Sequence, residues 1–252
     1  MRQSVVGIDM AANPKDTWAA FGEVVGPTDL WISSVEGDME DSRLKQLIQD
    51  GQHAVVAIDA PFGWPDEFVS FVSKYHRDEL APHVSRDDFR YRFTDTFVRR
   101  EAGKNPLSAS TDRIGIVAHR TAQILAELEG CDVLPFRANG NSTKVIEVYP
   151  GATLAAFGLP HTGYKPSRSL RKVDPAEVRA TIISELSAVG VSFTKETRVK
   201  CQGQTDALDA CICALTAREF LNGSTWNPPE DKLALVAREG WIFFPSRGGR
   251  RL

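Results

Sequence analysis

The chain has 252 residues, 25% of them charged, and a formal net charge of −3, so it lacks the global basic field that holds a long polyanion, and any nucleic-acid surface has to be local. Hydrophobic residues make up 42%, the proportion of an ordinary soluble globular protein, and a chain of this length buries a substantial core without disulfides or structural metals. The four cysteines (Cys131, Cys201, Cys211, Cys213) show no CxxC spacing, no apolar run reaches the ~18 residues of a membrane span, and the first acid comes too early for a secretory leader, so we expect buried thiols and a cytoplasmic protein without a membrane partner.

Val5-Val6-Gly7-Ile8 is a short apolar run ending at Asp9, the pattern of a buried strand with a carboxylate at its tip. Thr17 to Val25 and Thr28 to Val35 flank a Gly26-Pro27 turn and predict a hairpin. Asp41 to Asp50 carries Leu44, Leu47 and Ile48 at helical spacing and stops at Gly51. Ala54 to Ile58 is a fourth strand, ending at Asp59; Pro61 forces the chain to turn there. From Pro65 to about Gly130 the pattern is helical and loop-rich, with a helix at Ile114 to Leu128.

Val145 to Val148 is a further strand, stopped after Tyr149 by Pro150. Helices are expected at Gly151 to Phe157 and Pro175 to Val189, with a polar loop at Gly163 to Lys172 between them. Thr205 to Leu221 is a strong helix, with Thr205 as its cap and Leu208, Ile212, Leu215 and Phe220 as its apolar face. A helix near Asp231 to Arg238 follows, then Trp241 to Phe244 as core, and a basic tail at 246–252. No repeat or composition break divides the chain, so residues 1–252 are expected to form a single domain, with 65–130 as a helical insertion after the fourth strand. Strands alternating with helices in this order describe a mixed α/β sheet flanked by helices.

In open α/β sheets, sites form beyond the carboxyl ends of the strands. Asp9 and Asp59 occupy two such ends, although a lone strand-end Asp also serves as a turn former. Asp206 and Asp209 lie three residues apart on one helix face, where first-turn acids also suit the helix dipole. Carboxylates gathered in a poorly solvated place require compensation, and Mg²⁺ or Mn²⁺ supplies it with oxygen ligands and retained waters.

The segments Gly7-Ile8-Asp9, Ile58-Asp59-Ala60-Pro61, Arg92-Phe93-Thr94-Asp95, Arg99, Glu147-Val148-Tyr149-Pro150, Gly163-Tyr164-Lys165, Asp206-Ala207-Leu208-Asp209-Ala210 and Glu239-Gly240-Trp241-Ile242 run in order across nearly the whole chain. In them the sequence resembles the domain of unknown function 429 family, described as predicted ribonuclease-H-like nucleases. The resemblance implies a ribonuclease-H-like mixed central sheet, with metal held by a first-strand acid, a fourth-strand acid and acids on a late helix. By position these are Asp9, Asp59, and Asp206 with or without Asp209.

Arg92, Asp95 and Arg99 share a face if helical, either as a solvated ion-pair face or as an arginine clamp on phosphate. The resemblance favours the clamp for Arg92 and Arg99, with Asp95 orienting an arginine. Glu147 is a further metal ligand, a general base or a hydrogen-bonded structural acid. Lys165, in the polar loop, is a mobile point charge for phosphate or an ordinary surface lysine. Glu239 can bring another acid near the site, and His119 is a proton shuttle or a structural histidine. Phosphate loops of the GxxxxGK[ST] and GxGxxG types and the GxSxG elbow are all absent.

The expected function is metal-dependent phosphodiester hydrolysis, on nucleic acid or a small phosphate-containing substrate. Two other classes remain open on the same fold: a nucleotide-binding phosphotransferase or ATPase, and a non-catalytic binding protein.

Overall fold

The computed structural model describes residues 2–166 and 173–246. The polar loop expected at Gly163–Lys172 thus falls partly, and the tail at 246–252 almost wholly, outside the described residues.

Strand β1 (Arg2–Asp9) is the axis of the sheet. It pairs antiparallel with β2 (Trp18–Val25), which pairs antiparallel with β3 (Asp29–Glu36). On its other side β1 pairs parallel with β4 (Val55–Asp59), after the helix α1 (Asp41–Gln49). The segment after β4 holds four helices: α2 (Asp66–His76), α3 (Arg86–Arg90), α4 (Phe93–Ala102) and α5 (Gly115–Ala126). The chain then forms β5 (Asp132–Leu134) and β6 (Lys144–Val148), both parallel to β4 in the sheet. Helices α6 (Pro150–Phe157) and α7 (Pro175–Ala188) lead to the edge strand β7 (Val191–Phe193), then to α8 (Lys195–Gly203) and α9 (Thr205–Leu221). The last elements are α10 (Leu233–Glu239) and β8 (Ile242–Phe243).

The strand order is β5-β6-β4-β1-β2-β3-β7, with β8 beside β6. An antiparallel three-stranded meander followed by helical crossovers to parallel strands makes the mixed central sheet that the sequence led us to expect, flanked by helices on both faces. Short β5, β7 and β8 were not legible in the sequence, because two or three residues carry no alternation to detect. No helix among the described residues is long and apolar enough to cross a membrane.

Strand periodicity decides which residues meet α9. Val5 on β1 and Val55 and Ala57 on β4 pack into the core on the α9 side, while Val6, Ile8, Val56 and Ile58 pack on the opposite side against α1 and α5. Side chains alternate with a period of two, so Gly7, Asp9 and Asp59 belong to the α9 face. Gly7 makes the close approach possible: a Cβ there would lie 2.1 Å from the Ala210 carbonyl oxygen and 2.2 Å from the Ala214 nitrogen. Only glycine lets the helix backbone settle onto this strand.

Two expectations for α9 are corrected. Thr205 is not its cap; Gln204 holds that position and Thr205 Oγ1 instead receives a hydrogen bond from Arg179 at 3.3 Å. Nor is the helix amphipathic. Every residue from Ala207 to Arg218 is buried, because the sheet covers one side and α6 and α8 cover the rest. A helix buried all round needs no polar face.

Candidate active site

Asp9 and Asp59 are directly paired in the β1–β4 register, so two parallel strands end on adjacent carboxylates. Asp209, one turn into α9, is brought beside them by the Gly7 contact. One carboxylate oxygen from each of Asp9, Asp59 and Asp209 lies within 4.8 Å of the others. Asp9 and Asp59 are half-buried and Asp209 is fully buried. Burial raises all three carboxyl groups above the ordinary range, and the neighbouring acids push Asp9 up further; Asp59 is pushed up to about 7.

Lys165 answers part of this charge. Its ammonium lies 2.5 Å from Asp209 Oδ2 and is driven above its usual range by Asp209, Asp59 and Asp9 against the cost of burial. Beyond this ion pair, Asp209 Oδ2 has no hydrogen-bond partner among the described residues. Asp209 Oδ1 accepts one from the Tyr164 hydroxyl at 3.0 Å. Three carboxylates and one ammonium leave an excess of negative charge that a divalent cation neutralises. The donors are hard oxygens only, without a histidine or thiolate, which suits Mg²⁺ or Mn²⁺ rather than a softer ion. The residues present therefore fit such a metal.

The other sequence-predicted residues are distributed differently. Asp206 is not in the cluster of carboxylate oxygens; it sits half-buried in the first turn of α9, where burial, then Asp209 and Asp16, raise its carboxyl. The position expected for Asp206 is filled by Asp209, since residues three apart on a helix share a face but differ by a turn in depth.

Glu147 pairs in register with Ile58 and so points to the opposite face of the sheet from Asp59. There its Oε2 accepts hydrogen bonds from the Phe62 backbone N–H at 2.9 Å and from Arg92 at 2.9 Å, and its Oε1 accepts a second from Arg92 at 2.7 Å. Of the three roles open to Glu147, this geometry matches the structural acid.

Arg92 is buried at 1% exposure. All five guanidinium N–H groups are engaged, with Asp95, Glu147 and the Glu239 carbonyl. As the guanidinium stands, no donor remains for phosphate. Asp95 orients Arg92, with both carboxylate oxygens on the guanidinium. Arg99 is exposed and stacks on the Tyr91 ring at 4.6 Å, away from the carboxylates. Glu239 accepts from the Asp66 and Phe93 backbone N–H groups, tying α2 and α4 together. His119 lies against Trp64 at 5.4 Å between ring centroids.

A cavity of about 450 Å³ opens from Asp59 and Lys165. Tyr149, Leu107 and Ile114 form part of its wall, and Lys104, Arg113 and His161 stand along it. Tyr149, Tyr164 and Lys104 were not singled out from the sequence as site residues. The two tyrosines fall inside segments that carry the family resemblance, whereas Lys104 follows the end of α4 with no local signal.

No curated protein matches the chain in sequence. Among solved structures, the yeast mitochondrial Holliday junction resolvase Ydc2 is similar at 13% identity and a TM-score of 0.40, with 86% of this chain and 77% of that chain covered; the function of this chain does not follow from so distant a likeness. Residues 7–233 match the model of the family described as protein of unknown function DUF429, and the chain belongs to that family.

Proposed function

We propose that this protein is a divalent-metal-dependent phosphodiesterase, of the nuclease type, with Asp9, Asp59 and Asp209 as ligands for Mg²⁺ or Mn²⁺. One observation carries the reading: three acids from β1, β4 and α9, far apart in sequence, converge within 4.8 Å with a single lysine among them. Acidic residues in a protein interior are costly unless paired or bound to metal. Such an ion supplies positive charge for a phosphate oxygen and acidifies water for attack on phosphorus.

The chain's own groups do the rest. Tyr164 fixes the rotamer of Asp209 through its hydroxyl. Lys165 is long and half exposed, so its ammonium reaches a phosphate oxygen beside Asp209, and the carboxylate it leaves would be one of the groups that hold the ion. Asp206, half-buried in the first turn of α9, remains available to hold a water or a substrate hydroxyl. The substrate is a phosphodiester in a nucleic acid or a smaller phosphate ester.

The test is cleavage of a fluorescent single-stranded oligonucleotide in Mn²⁺. Even outer-sphere partners of metal sites are worth 10- to 100-fold, so Asp9→Asn and Asp209→Asn are each expected to lower the rate by at least about 100-fold. Asp206→Asn is expected to lower it by about tenfold or less. Equal rates in wild type and Asp9→Asn would overturn the reading.

A further inference from the structure

The lining of the cavity beside the carboxylates divides by chemistry. One set is charged and paired, with Asp59, the Arg92–Glu147 pair, and Lys165, which Asp209 holds. A second is apolar and aromatic, through Tyr149, Leu107 and Ile114. A third is Lys104 and Arg113, and neither has a carboxylate partner among the described residues. Lys104 donates one hydrogen bond, to the His161 carbonyl at 3.2 Å, which ties the α4–α5 connection to the loop before Tyr164. Its ammonium keeps two further N–H groups. Burial and the nearby Lys165 charge hold Lys104 below its usual range, as expected of cations gathered with no anion between them.

From this division we infer that the cavity receives one nucleoside unit of a single strand, with the scissile phosphate at the carboxylates and the neighbouring phosphate at Lys104 and Arg113. This inference rests on the proposed phosphodiesterase reading and adds the substrate class. A volume of about 450 Å³ lies in the range of small-ligand pockets; it admits one nucleoside and excludes a base-paired duplex. The Tyr149 ring offers the sequence-tolerant surface on which bases stack. Both lysines line the cavity, so a ligand with two phosphates engages both and a monophosphate engages only one.

The probes are adenosine 3′,5′-bisphosphate, adenosine 5′-monophosphate and adenosine 3′-monophosphate, titrated calorimetrically into the full chain with Ca²⁺ present and again with chelator. A hydrogen bond to a charged group is worth enough to change affinity about tenfold, so the bisphosphate is expected to bind roughly tenfold more tightly than either monophosphate. In Lys104→Ala and in Arg113→Glu that preference is expected to fall towards one. Arg113 is exposed, so its substitution reads the charge without risk to folding. Equal affinity for all three nucleotides in the wild type, or an unchanged preference in both variants, would overturn the inference. A Ca²⁺ titration without nucleotide reads the carboxylates separately. Absence of Ca²⁺ and Mn²⁺ binding, together with a variant-sensitive bisphosphate preference in chelator, would sink the metal-dependent reading and leave the nucleoside site standing.

Discussion

Two charged clusters sit at the same end of the sheet, close enough that Asp59, Lys165, Arg92 and Glu147 line one cavity, and they solve the problem of buried charge differently. In the first, Arg92, Asp95 and Glu147 are almost wholly buried, with five guanidinium donors matched by carboxylate and carbonyl oxygens. The arginine is held firmly charged by its partners. In the second, Asp9, Asp59 and Asp209 share one lysine, and all three carboxyls are raised. The first cluster is complete as it stands. The second has an excess of negative charge, and such incompleteness marks a place for a ligand. Acid content alone does not separate them, since Glu147 and Asp59 end neighbouring strands; the count of matched donors does.

The comparison predicts opposite outcomes on removing a charge. Arg92→Ala strands two buried carboxylates and is expected to cost about 3–5 kcal/mol, read from urea unfolding. Asp9→Asn relieves repulsion, so the metal-free melting temperature is expected to stay level or rise. An Arg92→Ala protein that unfolds at the wild-type urea concentration would erase the distinction. A smaller but still large effect is expected at Gly7. Overpacking typically costs about 1–3 kcal/mol, and here the added methyl meets backbone atoms of α9 rather than a side chain that can turn aside. Gly7→Ala should therefore lose stability and weaken Mn²⁺ binding together, because the displaced helix carries Asp209. Intact metal affinity in a destabilised Gly7→Ala protein would mean that the strand–helix contact does not set the site.

Much of this was legible in the sequence, and the failures have physical reasons. The strand-end acids Asp9 and Asp59 showed themselves as apolar runs stopped by Asp. The face each acid occupies did not, because periodicity gives relative and not absolute orientation: Glu147 looked equivalent to Asp59 until the register put it with Ile58. Asp206 and Asp209 were indistinguishable by spacing, and only the depth of α9 against Gly7 chose Asp209. Arg92 resembled a phosphate clamp because, apart from Asp95, its partners lie 55 and 147 residues away, at Glu147 and Glu239, beyond any local pattern. Lys104 had no signal at all; its role comes from the cavity that tertiary packing creates.

Metal addition sharpens the contrast on a smaller scale. At 100 times the dissociation constant, Mn²⁺ should add about 2.7 kcal/mol to the stability of the wild type. Asp209→Asn should lose most of that gain, while Asp206→Asn keeps most of it; a thermal melt with and without Mn²⁺ is the measurement. The reverse order would return Asp206 to the ligand set.

The smallest expected effect is the dependence on pH in chelator. Asp59 is raised to about 7 in the folded protein, against about 3.9 for an unfolded aspartate. The folded state therefore holds this proton longer than the unfolded state. Its contribution favours folding at low pH and is lost as pH rises from about 4 to about 7. Metal-free wild type should lose stability relative to Asp59→Asn across that window, seen as a urea midpoint that falls progressively behind that of the variant. In the neighbouring cluster Arg92 stays charged throughout and pulls the Glu147 carboxyl down against the upward push of burial. Saturating Mn²⁺ should reverse the trend, since the ion binds the carboxylate and competes with the proton. A wild-type curve parallel to Asp59→Asn in chelator would mean that Asp59 ionises freely in the fold, and the electrostatic difference between the two clusters would vanish with it.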